Sequence, residues 1–288
     1  MGTKFEVAAD EAGLRLDQVV PRHVAGLSRR QARAVIDLGG VFVDRARVKV
    51  AGRPVRAGQV IEVHVGGALD RDRPPLEPVI VFADDHVIVV DKPAGLVTAP
   101  TPESDRGDLL DQLARRHGEV YLVHRLDLPT SGLLVFARTR QANKQLGDAF
   151  VRHDVEREYR AVAVGDLAPQ TIDRPIQDRR AVTHVGVIEP LAGATLVSAR
   201  LETGRSHQIR IHLAGIGHPV AGDHQHGGAA ARTFVPRAPR LALHAAVLGF
   251  IHPATGERVR FERALPDDLT AWIARLRAPA AASPGDGA

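Results

Sequence analysis

A short segment rich in proline, glycine and charged residues divides the sequence into two apolar parts. It reads GGALDRDRPPLEP from Gly66 to Pro78, and this composition is typical of a linker. The chain of 288 residues also exceeds the usual length of a single domain. We therefore predict a small domain over residues 1–66, a linker over 67–78, a larger domain over 79–276 and a disordered tail over 277–288.

Positive charge is concentrated in the smaller predicted domain. Residues 1–66 contain eleven Lys or Arg and seven Asp or Glu, and the resulting net charge of +4 equals that of the whole chain. The larger domain is therefore balanced in charge. A small basic module attached to a neutral one suits a polyanionic partner such as RNA.

Two absences narrow the class of protein. The sequence contains no cysteine, which excludes disulfides, thiolate catalysis and cysteine-ligated metal sites. It also lacks a run of eighteen apolar residues, and its first residues do not resemble a secretory signal. We expect a cytoplasmic protein that is not embedded in a membrane.

The smaller domain is predicted to contain two helices followed by short strands. The first helix begins near Leu16, and Pro21 is expected to kink or interrupt it. The second helix begins after Ser28, which forms a capping box with Gln31, and ends at Gly39.

Three arginines lie together on the first turns of the second predicted helix. Arg29, Arg30 and Arg33 are close to the helix N-terminus, which itself favours anions. We interpret them as a face that binds phosphate groups. The alternative is a basic helix end that is only solvated, since a charge cluster alone is non-specific.

The larger domain is predicted to be α+β, with a mixed, mainly antiparallel sheet flanked by helices. Strand-like segments outnumber helical ones, and several are close enough in sequence to form hairpins. The strands are predicted over residues 79–82, 87–90, 121–123, 133–137, 159–164, 194–201 and 247–251, and the helices over 108–117 and 140–150.

Polar residues concentrate between two strand-like runs in YLVHRLDLPTSGLLVFART, residues 121–139. His124, Arg125, Asp127, Thr130 and Ser131 lie where the chain must turn. Because these residue types also favour turns, the segment is either a capped turn or a functional site.

Histidines are clustered later in the chain, which raises the possibility of a metal site. The spacing argues against one, because the first two are five residues apart and do not share a helix face, and no HExxH motif occurs. We expect no metal and no cofactor. The clustered residues are His207, His212, His218, His224 and His226.

Several segments, taken together, resemble the RluA-type pseudouridine synthases. The HRLD motif followed by Thr-Ser-Gly is similar to the signature of that family, and five further segments follow the family order over nearly the whole larger domain. Those segments are DKPAGL, EREYRA, LETGRSHQIRIHL, GHPVAGD and LALHAAVLGFIHP. The sequence departs from the family at His226, where Tyr is usual.

Residues Leu14 to Val65 resemble a second family, the small RNA-binding domain named after a ribosomal small-subunit protein. The matching segments are LRLDQVV, LSRRQARAVIDLGGVFVD and VRAGQVIEV. Asp44 and Arg45 stand where that family commonly has Asn-Gly, so a differently shaped hairpin is expected there.

The resemblance implies roles for individual residues. It makes Asp127 the catalytic carboxylate, pairs Arg210 with it, and makes Tyr159 the ring that stacks on the target base. It also implies that Arg125 helps to hold that base out of its stack. The further predicted contacts to substrate RNA are His124, Thr130, Ser131, Arg205, His207 and Gln208.

We therefore expect a monomeric enzyme that isomerises uridine to pseudouridine in a structured RNA. Large-subunit ribosomal RNA is favoured as the substrate, and transfer RNA is an alternative. A different class of protein is an RNA-binding or ribosome-assembly factor without catalytic activity. The presence of Asp127, Tyr159 and Arg210 favours the enzyme.

Overall fold

The computed structural model describes residues 2–65, 76–100 and 108–277. The chain groups into two compact units, one of Met1–Leu76 with Val97–Gly118 and the other of Glu77–Leu96 with Glu119–Ala288. Most of the predicted linker lies outside the described residues, as does the predicted tail after Arg277. The domain boundaries drawn from the sequence stay predictions.

The first unit has a sheet whose core is shared with two helices. In the described residues the sheet has four antiparallel strands in the order β1, β4, β2, β3. Fully buried aliphatic side chains such as Ile36 and Ile61 belong to one cluster, and each contributes about 1.5–3 kcal/mol. The elements are β1 (Thr3–Glu6), α1 (Leu16–His23), α2 (Arg29–Asp37), β2 (Val41–Val43), β3 (Ala46–Arg47), β4 (Val60–Val63) and α3 (Leu109–His117).

Both predicted helices of the basic segment are present. In α2, Ser28 and Gln31 form the predicted capping box, with the Ser28 amide donating to Gln31 Oε1 at 2.9 Å. Of the two predicted effects of Pro21, a kink or an interruption of the first helix, the interruption is not found, because α1 continues through Pro21 to His23. The missing Pro21 N–H removes one internal hydrogen bond, the one that the backbone carbonyl of Asp17 would accept.

The hairpin between β2 and β3 has the turn type that Asn-Gly favours. Asp44 and Arg45 adopt φ values of 52° and 67°, and two positive values are characteristic of a type I′ turn. Asp44 tolerates this conformation because its carboxylate accepts from the Val60 amide at 3.0 Å and from Gln59 Nε2 at 2.9 Å. The expected difference in hairpin shape is therefore not found.

The second unit contains most of the strands. They are β5 (Val79–Ala83), β6 (Val87–Lys92), β7 (Tyr121–Leu122), β8 (Ser131–Ala137), β9 (Glu156–Val164), β10 (Gln170–Asp173), β11 (Val182–Leu191), β12 (Ala194–Leu201), β13 (Leu243–Ile251) and β14 (Arg258–Glu262). Its helices are α4 (Arg140–Val151), α5 (Gln208–Gly215), α6 (Gly228–Thr233) and α7 (Asp267–Arg277).

These strands form one mixed sheet, as predicted. Among the described residues the sheet has ten strands in the order β10, β11, β12, β9, β13, β8, β6, β5, with β14 paired to β13 and β7 to β8. The β13–β8 pair is parallel, and the other pairs are antiparallel. Residues of α5 and α7 share a buried core with β9, β12 and β13, and residues of α4 share another with β6 and β8.

A glycine permits the close approach of β8 to β13. Gly132 has φ of 116°, and a Cβ atom there would lie 2.3 Å from the Ala245 carbonyl oxygen. Only glycine fits this position without backbone movement. The close strand pairing fixes the start of β8, directly after the turn that carries Asp127.

Within residues 2–65, 76–100 and 108–277, the structure contains no helix that is both long and apolar enough to cross a membrane.

Candidate active site

The turn between β7 and β8 carries Asp127 into a cavity of the second unit. The Thr130 amide donates to the Asp127 carbonyl at 3.0 Å and closes the turn. Residues from β9, β12, β13 and α5 complete the walls. The cavity is lined by Arg125, Leu126, Asp127, Thr130, Tyr159, Leu201, Arg205, His207, Gln208, Ile209, Arg210 and Leu243.

Arg210 joins two carboxylates at this cavity. Its Nη1 donates to Asp127 Oδ2 at 3.2 Å, while its Nε and Nη2 each donate to Asp223 at 2.8 Å. The Asp223 and Arg210 side chains are buried, with exposed fractions of 1% and 5%, whereas that of Asp127 is 23%. The arginine is therefore fixed from behind by Asp223 and reaches forward to the carboxylate that faces the cavity.

The contacts of Asp223 and Arg210 determine whether each side chain is charged. Burial alone would raise the pKa of Asp223, but hydrogen bonds from Arg210 and from the His226 and Gln225 amides hold it below its usual value. Burial likewise opposes the charge of Arg210, yet Asp223 and Asp127 raise its pKa. Both groups of the buried pair are thus ionised at neutral pH.

A histidine pair approaches the other oxygen of Asp127. His207 Nε2 lies 3.6 Å from Asp127 Oδ1, and His207 Nδ1 lies 2.8 Å from His226 Nε2. His207 precedes α5 with φ of 56° and ψ of 22°, a left-handed conformation that costs a non-glycine residue about 1–3 kcal/mol. The surrounding contacts therefore hold His207 in a strained backbone conformation next to Asp127.

Tyr159 and several apolar side chains form another part of the cavity wall. Burial raises the pKa of the Tyr159 phenol, so the ring stays neutral at neutral pH. Leu126 and Leu243 are buried beside it, with exposed fractions of 5% and 4%. This combination suits a flat, partly apolar ligand such as a nucleobase.

Lys92, at the end of β6, is a fully buried amine close to the same turn. Its Nζ donates to the carbonyl oxygens of Leu96 at 2.8 Å, Pro93 at 3.0 Å and Leu128 at 3.4 Å. Burial lowers its pKa to about 7, although the charge of Asp127 acts in the opposite direction. Because Leu128 follows Asp127, Lys92 ties the turn to the segment after β6.

Two of the predicted RNA contacts lie away from the cavity, so their positions do not support those roles. The His124 ring stacks on Phe150 with centroids 4.4 Å apart, and its Nε2 accepts from the Val135 amide at 3.2 Å. Burial, assisted by Arg157, lowers the His124 pKa to about 3. Ser131 is the first residue of β8, and its Oγ lies 2.9 Å from His244 Nδ1.

The three arginines of α2 lie in the first unit, where two of them contact a buried carboxylate. Arg29 Nε lies 3.3 Å from Asp17 Oδ2 and Arg33 Nε lies 2.5 Å from it, while the Asp17 side chain is fully buried. Burial opposes the charge of Asp17, but Arg15, Arg33 and Arg29 lower its pKa to about 2. The arginine side chains remain about half exposed, so their charge can still reach solvent.

The clustered histidines make separate contacts. His212 lies 2.9 Å from Thr183 Oγ1 and His218 lies 3.0 Å from the Val164 carbonyl, whereas His207 and His226 contact each other. In the part of the chain that the structure describes, no group of three or more His, Cys, Asp or Glu residues is arranged to hold a metal ion.

Sequence reasoning missed three polar residues around Asp127. Asp223 and Lys92 lie in segments that carried the family resemblance, GHPVAGD and DKPAGL, and a charge at the end of a buried segment could have drawn attention to each. His226 was noted as one of the clustered histidines and as a departure from the family, but not as a neighbour of Asp127. His226 contacts His207, which lies nineteen residues earlier in the chain. No periodic pattern in the sequence predicts this contact.

The chain is similar to known proteins over most of its length. The family model for RNA pseudouridylate synthase matches residues 86–215, and that for the S4 domain matches residues 14–61. The chain is 37% identical over 297 residues to ribosomal large subunit pseudouridine synthase D of Nitrosomonas europaea, covering 92% of this chain and 85% of that protein. The chain belongs to the RNA pseudouridylate synthase family. It is accordingly an isomerase that converts uridine in RNA to pseudouridine, as predicted.

A further relative and a solved structure each match more than two thirds of the chain. The chain is 37% identical over 290 residues to the uncharacterized RNA pseudouridine synthase YlyB of Bacillus subtilis, covering 91% of this chain and 94% of that protein. The structure of human RNA pseudouridylate synthase domain containing 4 matches with a TM-score of 0.59 at 24% identity, covering 69% of this chain and 93% of that one. The fold of the family is thus present here.

Proposed function

We propose that Asp127 is the catalytic carboxylate of this pseudouridine synthase and that large-subunit ribosomal RNA is its substrate. The observation that carries the catalytic assignment is the cavity in which Asp127 faces solvent while Arg210, buried and paired with Asp223, donates to its Oδ2. Support for the RNA class comes from relatives named large subunit pseudouridine synthase D.

The reaction exchanges one bond of the uracil ring for another. The bond from ribose C1′ to N1 breaks, the ring turns, and a bond from C1′ to C5 forms, while C5 loses a proton and N1 gains one. Atoms and charge balance, and no oxidant or reductant is required. A positioned carboxylate in a site that excludes water is the group this chemistry needs.

The other cavity residues take complementary parts in the proposal. A base inside an RNA helix cannot reach Asp127, so it must leave its stack at a cost of a few kcal/mol. Tyr159 would stack on the extruded uracil, and Leu126 and Leu243 would exclude water around it. Arg125 and Arg205 line the same cavity with positive charge. Arg125 would help to hold the base out of its stack, and Arg205 would contact a flanking phosphate.

The basic first unit would hold the RNA without reading its sequence. Arg29, Arg30 and Arg33 are exposed on α2, and an arginine that shares a carboxylate still presents N–H donors to a phosphate. We also propose that the enzyme acts as a monomer. Light scattering of the purified protein measures its mass in solution and tests this.

The substrate assignment is tested by mapping pseudouridine in total RNA from cells with and without the gene. We expect at least one pseudouridine to disappear from large-subunit ribosomal RNA and to return when the wild-type gene is restored. Loss of pseudouridine only from transfer RNA would contradict the proposed substrate. An unchanged map in every RNA would contradict the proposed activity in the cell.

A further inference from the structure

Asp223 reaches both oxygens of Asp127 through two separate arms. In the first arm, Asp223 binds Arg210, which donates to Asp127 Oδ2 at 3.2 Å. In the second arm, the His226 amide donates to Asp223 Oδ1 at 3.0 Å, and the His226 ring contacts His207, whose Nε2 lies 3.6 Å from Asp127 Oδ1. One buried carboxylate thus anchors the groups on both sides of the reactive one.

The charge of Asp127 determines which ring nitrogen of His207 carries a proton. If Nε2 lacked a proton, its lone pair would face a carboxylate oxygen and the two would repel. His207 therefore carries its proton on Nε2, and in its neutral form Nδ1 is an acceptor.

This assignment determines the tautomer of His226 in turn. His207 Nδ1 and His226 Nε2 are 2.8 Å apart, so one of them must donate. When the His207 ring is neutral its Nδ1 accepts, so His226 Nε2 carries the donated proton. Burial, together with the charge of Arg210, lowers the pKa of His226, which favours a neutral ring with a single N–H. The charged or titratable groups that act on it are Arg210, Asp223, His207 and Asp127.

We propose that His226 is a positioning residue that holds His207 in the tautomer whose Nε2–H faces Asp127 Oδ1. His226 does not line the cavity, whereas His207 does, so His226 acts through its neighbour. With Arg210 bound to Oδ2 and His207 Nε2 3.6 Å from Oδ1, both contacts oppose rotation of the Asp127 carboxylate away from the target ring. The consequence for catalysis rests on the proposed function of Asp127.

The test compares three variants under single-turnover conditions at saturating large-subunit ribosomal RNA transcript. His226→Phe removes the donor and keeps a ring, and we expect the rate to fall roughly tenfold, since misplacement of reacting groups by about 1 Å costs up to a hundredfold. His226→Gln keeps an amide N–H for His207 and should retain most of the rate. His224→Gln, an exposed control in the same loop, should react as the wild type does.

The dissociation constant for RNA should be unchanged in all three variants, because His226 does not line the cavity. A wild-type rate for His226→Phe would overturn the proposal. So would an equal loss in His226→Gln, because packing rather than the hydrogen bond would then be responsible.

Nitrogen-15 chemical shifts of the His207 ring test the same contact without any substrate. The wild type should show a protonated Nε2 and an unprotonated Nδ1, and His226→Phe should show a mixture of the two tautomers. A protonated Nδ1 in the wild type would contradict the proposal even if the enzyme is active. If the shifts are as expected but the protein converts no uridine, the contact between His226 and His207 stands. The proposed function is then contradicted instead.

Discussion

Arg210 lies between Asp127 and Asp223, donating to the first at 3.2 Å and to the second at 2.8 Å through two of its nitrogens. Replacing it by Gln leaves Asp223 buried without its cationic partner, which costs about 3–5 kcal/mol of folding free energy. Asp127 also loses its donor. We therefore expect Arg210→Gln to be both less stable and inactive.

A double variant separates these two effects. Arg210→Gln combined with Asp223→Asn removes the unpaired buried charge, so stability should partly return while pseudouridine formation stays absent. Urea unfolding followed by fluorescence of Trp272, the only tryptophan in the sequence and a core residue of the same unit, measures the stability. A double variant no more stable than Arg210→Gln would show that the charge of Asp223 is not the cause.

Lys92 should make stability depend on pH in the alkaline range. Its pKa is lowered to about 7 in the folded protein, against about 10.4 in an unfolded chain. Between these values the unfolded state binds one more proton, so the free energy of unfolding rises with pH, by at most about 1.4 kcal/mol per pH unit.

Lys92→Met lacks this proton and serves as the matched comparison, because every other titrating group is shared. Urea unfolding of both proteins from pH 6 to 10, read from Trp272, should show the wild type gaining stability relative to the variant above pH 7. Parallel curves would mean that Lys92 keeps an ordinary pKa despite its burial.

The arginines of α2 should affect RNA binding and not the chemical step. Replacing Arg29, Arg30 and Arg33 together by Gln should weaken RNA binding and reduce the slope of log affinity against log salt concentration by up to about three. The rate at saturating RNA should barely change, because contacts made equally before and during the reaction alter only affinity. Lys144→Gln, an exposed cation on α4 paired with Asp148, is the control.

A triple variant that binds normally but reacts slowly would contradict this division of roles. Stability needs a separate check, since Asp17 would lose the guanidinium groups of Arg29 and Arg33 and keep that of Arg15. Hydrogen exchange of the α1 and α2 amides reports that local stability.

Elements with strong local signals could be predicted from the sequence. The capping box at Ser28 defined α2, and apolar runs bounded by polar residues defined β6 and β8. By contrast, β11 was missed although it spans ten residues. It contains Gly186 and Pro190, which are poor strand formers, and a register shift between Val187 and Glu189 breaks its alternation.

Most residues of the candidate site could be predicted only from the family motifs. The turn around Asp127 was visible as a polar corner, and Arg210 and Tyr159 came from the resemblance, all three lining one cavity in the structure. Asp223 and His226 depend on long-range packing that brings the loop before α6 against α5, and a single sequence carries no periodic signal for that contact. His124, by contrast, was predicted to contact RNA from the family resemblance of the HRLD motif, yet its ring packs on Phe150.

The most direct test of the account is pseudouridine formation by Asp127→Asn in a single turnover on large-subunit ribosomal RNA. The change keeps the shape of the side chain and removes its charge, so folding and RNA binding should persist while the rate falls by at least about a thousandfold. Asp148→Asn, an exposed carboxylate change on α4, should react at the wild-type rate. Conversion by Asp127→Asn within about tenfold of the wild type would contradict the assignment of Asp127 as the catalytic carboxylate.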